Sequence, residues 1–133
     1  MKKIILASTS KSRREQLQRL YVSFTSISPN VNEKSYKNNV SDYAQLSREL
    51  SLVKAQKVKY SNKEAIVIGG DTLSVIDDVI LSKPKTKEKA FEQLKMLSGK
   101  QHRVITSTAI LVDDKQFIHT SISKLRMRRL TNE

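Results

Sequence analysis

Short apolar runs alternate along the chain with amphipathic stretches. Lys3 to Ala7 reads as a short buried strand, followed at once by hydroxyl residues. A helix is predicted from about residue 11 to Tyr21, with Leu17, Leu20 and Tyr21 at i, i+3, i+4 spacing. Ser12 and Glu15 fit an S-x-x-E capping box, and Ser10 is a rival cap one step earlier. Val22 to Ser28 reads as a second strand, ended by Pro29, and residues 30–41 (NVNEKSYKNNVS) as a polar loop. A long helix follows from about Ser41 to Tyr60, with Tyr43, Leu46, Leu50 and Val53 along one face. Ala65 to Gly69 predicts a buried strand, and LSVIDDVIL predicts two short strands around a turn at Asp77 and Asp78. Thr86 can cap a helix striped by Ala90, Phe91, Leu94 and Leu97, with Gly99 as its stop. HRVITSTAILVDD and QFIHTSISKLRMRRL predict a long hairpin around Asp113 and Asp114. The order β-α-β-α-β-β-β-α-β-β indicates one mixed α/β domain over residues 1–133.

Composition narrows the chemistry. With 38% apolar residues and 5% aromatic, the core must be mostly Leu, Ile, Val and Ala. The absence of cysteine excludes disulfides, thiolate metal sites and a cysteine nucleophile. Two separate histidines, His102 and His119, argue against a histidine-rich metal centre. No apolar run approaches the ~20 residues that cross a bilayer. The apolar stretch after Met-Lys-Lys is too short for a signal peptide, so a cytoplasmic protein is expected. The net charge of +12 favours polyanions, or reflects a lysine-rich solvated surface; its one cluster is SKLRMRRL. Scarce aromatics and the lack of a helix-turn-helix or zinc-finger pattern argue against nucleic acid as the partner.

Three strand ends carry candidate chemistry. In IILASTSKSRREQL, residues 4–17, a strand feeds a helix start, where free backbone N–H groups and the helix dipole favour an anion. Ser8 and Ser10 add donors and Arg13 can clamp phosphate oxygens. The plainer reading is a helix cap and a solvated first turn, but arginine there opposes the dipole, which tilts the balance toward a bound anion. In IGGDT, Gly69 and Gly70 are expected to turn the backbone sharply and deliver Asp71 at a strand end. There it would bind Mg²⁺, take a proton from water, or simply cap the turn. In LSKPK, Pro84 holds Lys83 extended, which aims its ammonium or leaves it a solvated surface lysine. Glu33, in the polar loop, could join Asp71 around a metal or stay solvated. Lys54, at the edge of its helix's apolar face, reaches a cleft or lays its stem over the core.

Taken in order, LASTS…R, SP…NE, LVKAQKV, IGGDT, ILSKPK, AFEQLKMLSGKQHRVITSTAIL and LRMRRLTNE resemble the Maf family of nucleoside-triphosphate pyrophosphatases over essentially the whole chain. The family pattern is roughly LASxSPRR, DE, KA, IGADT, GKP and LSGxxHxVxT. The resemblance implies a Maf/ITPase-like fold, a mixed twisted sheet flanked by helices. It also implies hydrolysis of a nucleoside triphosphate between its α and β phosphates, with Mg²⁺ or Mn²⁺. Carried over, Ser8, Ser10 and Arg13 hold the triphosphate, with Ser12 and Thr72 also on the substrate. Glu33 and Asp71 bind metal and activate water, with Asp71 as the base, while Lys54 and Lys83 neutralise developing charge.

Several positions depart from that pattern. Lys11 replaces a proline suited to the first helical position. Ser12 stands where members preferring dTTP and UTP often carry arginine, Ser82 replaces the glycine of GKP, Asn32 replaces an acidic residue, and Asp78 replaces the glycine after Asp77. Thr72 and HRVITSTAI favour the dTTP/UTP group over the 7-methyl-GTP group, whereas Ser12 leaves the base open. The family pattern continues beyond LTNE, so the C-terminal part of the fold is expected to be missing, with exposed strand edges favouring a homodimer and impaired activity. The competing class is a non-catalytic basic protein binding nucleotide or nucleic acid, or a degenerate family member with an interaction role.

Overall fold

The structure, a computed structural model, describes residues 2–38 and 40–131. Asn39, within the expected polar loop, and the final two residues of LRMRRLTNE lie outside the described residues. The elements are β1 (Ile4–Leu6), α1 (Lys11–Gln18), β2 (Thr25–Ser26), a 3₁₀ turn (Glu33–Tyr36), α2 (Tyr43–Tyr60), β3 (Ile66–Ile76), β4 (Val79–Leu81), α3 (Lys87–Leu97), β5 (Gln101–Val112) and β6 (Lys115–Arg126). They form one mixed sheet in the order β2-β1-β3-β5-β6, with β4 also on β3. β1 runs parallel to β2 and β3, and the remaining pairs are antiparallel.

Two of the predicted strands are one. Ala65–Gly69 and the first half of LSVIDDVIL join as β3, so the central segment contributes two strands instead of three. Gly69 and Gly70 do not turn the chain; both lie inside β3 and pair with Ala109 and Thr108 of β5. The turn at Asp77 and Asp78 is where the sequence placed it. Both residues have positive φ (48° and 59°), as a two-residue type I′ hairpin turn requires.

α2 packs across β3 and β5 and covers one sheet face. Ile5, Ala7, Ala55, Val58, Val67, Ala109 and Leu111 form one buried cluster, and Leu46, Leu50, Leu73, Val75 and Ile105 another. The seam on this face carries small or polar groups: Ser47, Ser51 and Ser107 are fully buried, and Lys54 and Asp71 nearly so. The buried stripe of α2 therefore runs through Ser47, Ser51, Lys54, Ala55 and Val58 as well as Leu46 and Leu50, whereas Val53 is only half-buried. Small residues are needed because the helix lies almost on the strand. A Cβ at Gly69 would fall 2.4 Å from the Ser51 carbonyl oxygen and 2.9 Å from both the Ala55 amide nitrogen and Cβ. Gly69→Ala must push backbone against backbone and should cost about 1–3 kcal/mol, as overpacking in a close-packed interior does. Gly70→Ala should cost less than half as much, because the group in its way is the Arg13 side chain, 2.9 Å off. Denaturant unfolding of the two variants checks this; equal losses would mean that α2 can back away.

Other expected elements are shorter or looser. α1 ends at Gln18 rather than Tyr21, which has φ 56° and is almost fully exposed. Leu20 is also exposed and no α1 residue is buried, so its apolar spacing does not mark a core face. Its cap is Ser10, whose Oγ accepts from the Arg13 amide, and not the predicted Ser12–Glu15 box. The strand expected over Val22–Ser28 shrinks to the two residues that pair with β1. The long helix starts at Tyr43, capped by Asp42, and the loop before it contains the 3₁₀ turn. α3 is capped by Thr86 as expected, but Phe91 and Leu94 of its stripe remain about half exposed. Among the described residues β6 is an edge strand, and it exposes Phe117, Ile122 and Leu125.

Candidate active site

The sheet has a gap, and the predicted residues surround it. β1 pairs with β3 only as far as Leu6 opposite Ile68, and β4 takes up β3 only from Leu81 opposite Ser74. β5 occupies the other edge of β3 throughout that interval, from Val67 to Val75. Among the described residues, 69–73 of β3 therefore have no strand neighbour on one side. β1 runs out into Ser8–Arg13 at one end of this opening, and β4 runs out into Ser82 and Lys83 at the other. Asp71 sits in the middle of β3, not at a strand end, because the glycines before it extend the strand. Strand alternation turns Asp71 into the α2 side, 3% exposed, and leaves Thr72 exposed on the opposite face.

The start of α1 supplies donors. Ser8 Oγ accepts from the Ser10 amide at 3.0 Å, and Ser10 Oγ from the Arg13 amide at 3.4 Å. Each hydroxyl hydrogen remains available to donate, as do the backbone amides of Lys11 and Ser12, whereas the Arg13 amide is taken by Ser10. There is no acidic residue in the first turn of α1 to answer the helix dipole. Arg13 lies across Gly70, where the missing Cβ makes room, and donates from Nη2 to Thr72 Oγ1 at 3.3 Å. Thr72 Oγ1 in turn meets Thr106 Oγ1 of β5 at 3.3 Å.

Lys54 reaches from α2 into the gap and joins the two carboxylates. Its Nζ is 2.9 Å from Glu33 Oε1 and 3.1 Å from Asp71 Oδ1, and it also donates to the Gly70 carbonyl at 3.4 Å. Burial pushes the Asp71 carboxyl upward, and the Glu33 charge adds to the rise. The charge and hydrogen bond of Lys54, with help from Arg13, oppose it, and the net position is above the ordinary value. For Glu33, partial burial pulls upward, but the hydrogen bond and charge of Lys54, then the charges of Lys37 and Arg13, outweigh it and hold it low. Two carboxylates on one ammonium are thus driven apart in proton affinity. The second oxygen of Asp71, Oδ2, is buried with no hydrogen-bond partner among the described residues.

That unpartnered oxygen bears on whether the site suits a divalent cation. No group of three or more His, Cys, Asp or Glu residues is arranged for a metal among the described residues. Mg²⁺ commonly takes one or two carboxylates and completes its shell with water and phosphate oxygens, so the pair Asp71 and Glu33 fits such an ion.

Two cavities meet at Arg13. The larger, about 930 Å³, collects Ser8, Ser10, Glu33, Lys54, Asp71 and Lys83. All nine residues singled out from the sequence line it, since Ser12, Arg13 and Thr72 do so too. The smaller, about 510 Å³, lies between α1 and the sheet face away from α2, with Leu6, Leu17, Leu20 and Ile68 among its walls. Ser10, Ser12, Arg13 and Thr72 border both. Sequence reading missed Lys37 in the larger cavity and Gln16, Thr106 and Thr108 in the smaller. Lys37 sits in a polar loop without periodicity, and only the 3₁₀ turn places it. Thr106 and Thr108 could have been found from the strand alternation of β5.

The chain is similar to known proteins. The chain is 38% identical over 130 residues to a 7-methyl-GTP pyrophosphatase of Bdellovibrio bacteriovorus, covering 98% of this chain and 68% of that one. It is 42% identical over 135 residues to a dTTP/UTP pyrophosphatase of Thermoanaerobacter sp. strain X514, covering 98% and 69%. Among solved structures, the Ham1 protein of Staphylococcus aureus superposes with a TM-score of 0.61 at 13% identity, over 92% of this chain and 70% of that one. A Ham1 protein of Coxiella burnetii gives 0.60 at 15%. These two establish likeness of fold. No helix of the described residues is long and apolar enough to cross a membrane. The family model for Maf-like protein matches residues 3–133, and the chain belongs to the Maf family.

Proposed function

We propose that the chain is a nucleoside triphosphate pyrophosphatase, hydrolysing its substrate to the monophosphate and pyrophosphate. The observation that carries this reading is the buried Lys54 shared by Asp71 and Glu33 at the strand gap, beside a helix start lined with hydroxyls and Arg13. The names of the two pyrophosphatase relatives agree with it.

In this reading the nucleotide lies across Arg13. The smaller, partly apolar cavity takes the base and sugar, and the cation-lined cavity takes the phosphates. Ser8, Ser10 and the first amides of α1 donate to phosphate oxygens, and Arg13 spans the junction, held by Thr72. Asp71 Oδ2, lacking any other partner, accepts the proton of a water attacking the α phosphorus. The bond from that phosphorus to the bridging oxygen breaks and pyrophosphate leaves. Lys83, at the end of β4, and Lys54 meet the charge that collects on the leaving group. Asp71 and Glu33 would hold Mg²⁺ or Mn²⁺, which supplies charge neutralisation on the phosphate oxygens when bound. Among bases we favour thymine and uracil, because Thr72 at the cavity junction and Thr106 in the smaller cavity offer hydroxyls.

The purified chain with Mg²⁺ or Mn²⁺ is expected to release pyrophosphate from dTTP or UTP faster than from purine or 7-methylated nucleotides. Silence across such a panel, with steeply salt-dependent DNA binding instead, would replace the enzyme reading with that of a basic binding protein.

A further inference from the structure

We infer that Lys37 binds the pyrophosphate end of the substrate and so selects triphosphates; this rests on the pyrophosphatase reading above. Lys37 closes the 3₁₀ turn that begins with Glu33, its backbone N–H bonding the Lys34 carbonyl at 3.2 Å. The same short turn therefore presents a carboxylate and, four residues on, an ammonium to one cavity. Lys37 is half-buried and lines the larger cavity with Arg13, Lys54 and Lys83, and its charge is felt at Glu33. It does not line the smaller cavity, to which Arg13, Ser12 and Thr72 belong as well.

Charge and direction both assign it to the phosphate tail. Lys54 is engaged with Glu33 and Asp71, and Lys11 stands 3.9 Å from Glu15. Among the described residues no carboxylate lies within ion-pair distance of Lys37 or Lys83. With Lys11, which also lines the cavity, set against Glu15, the charges of Arg13, Lys37, Lys54 and Lys83 against Glu33 and Asp71 leave an excess of two positive charges. A triphosphate carries about four negative charges near neutral pH, and one divalent cation cancels two of them. With Lys37 counted the cavity balances its ligand; without it one phosphate charge is left over. A nucleotide whose base side enters the smaller cavity must extend its tail away from Thr72, toward the turn and the end of β4. There Lys37 and Lys83 face the β and γ phosphates.

Lys37→Gln is expected to raise KM for dTTP about tenfold while kcat stays within about threefold, the pattern of lost binding rather than lost chemistry. The inhibition constant of inorganic pyrophosphate should rise by a similar factor, and that of thymidine monophosphate should move less than twofold. Lys37→Arg should recover most of the loss, and Lys37→Met, which keeps the stem, should not. Pyrophosphate inhibition unchanged in Lys37→Gln, or equal weakening of monophosphate and pyrophosphate, would overturn the assignment. Calorimetric titration of inorganic pyrophosphate with Mg²⁺ into the wild type and Lys37→Gln separates this from the parent reading. Weaker binding by the variant supports Lys37 even if no nucleotide turns over, and equal or undetectable binding by both removes it.

Discussion

Lys54→Met should lose about 3 kcal/mol of stability at pH 7, the low end of what removing one partner of a buried ion pair costs. The loss arises mainly at Asp71, which would stay 3% exposed with no cation against Oδ1 and no partner on Oδ2. Glu33 adds little, since its side chain is 41% exposed and water screens it. Protonation of Asp71 limits the damage, and this makes the loss depend on pH. Burial and the Glu33 charge raise Asp71 above its ordinary value, and removing Lys54 takes away the largest opposing influence. A carboxyl that holds its proton more tightly when folded destabilises the fold as pH rises through the unfolded value, about 3.9, and on to the folded one. Glu33 works in the opposite sense in the wild type. Its lowered pKa gives stability that is present above about pH 4.3 and is lost as pH falls through the folded value. The variant lacks that contribution. Both effects make the gap between wild type and variant wide at neutral pH and narrow toward pH 4. Urea unfolding of both proteins at the two pH values measures it, and a gap independent of pH would mean that Asp71 is not charged in the fold.

Much of the fold is legible in the sequence wherever one local signal decides. The turn at Asp77 and Asp78, the Thr86 cap and the β5–β6 hairpin are of this kind, because each depends on a few adjacent residues. The errors fall where distant packing decides. Gly69 and Gly70 look like a turn to any local rule, yet one is cleared for the backbone of α2 and the other for Arg13. Ser47 and Ser51 look like surface positions on α2 and are fully buried for the same reason. Leu17 and Leu20 have helical spacing but line a cavity instead of a core. The candidate site was readable as residue types in sequence order. The gap that gathers them was not, since it exists only because β1 stops at Leu6, opposite Ile68, and β4 ends at Leu81, opposite Ser74, on the same edge of β3.

Asp71→Asn should reduce pyrophosphate release by about 10³-fold, within the range that loss of a positioned general base produces. The substitution keeps the shape and leaves a carbonyl oxygen to accept from Lys54, so the seam beneath α2 stays filled. It also removes the charge that burial disfavours, so the variant should fold at least as well as Lys54→Met, which strands that charge. What it cannot keep is a proton acceptor at Oδ2, the position with no other partner among the described residues. Glu33 is a poor substitute, because its carboxyl is held low by Lys54, Lys37 and Arg13 and so binds a proton weakly. Nucleotide affinity should change far less than turnover, since Ser8, Ser10, Arg13 and Lys83 are untouched. Calorimetric binding of dTTP alongside pyrophosphate release distinguishes the roles. Turnover within tenfold of the wild type would remove Asp71 as the base, and parallel loss of turnover and binding would leave it only the metal-holding part of its role.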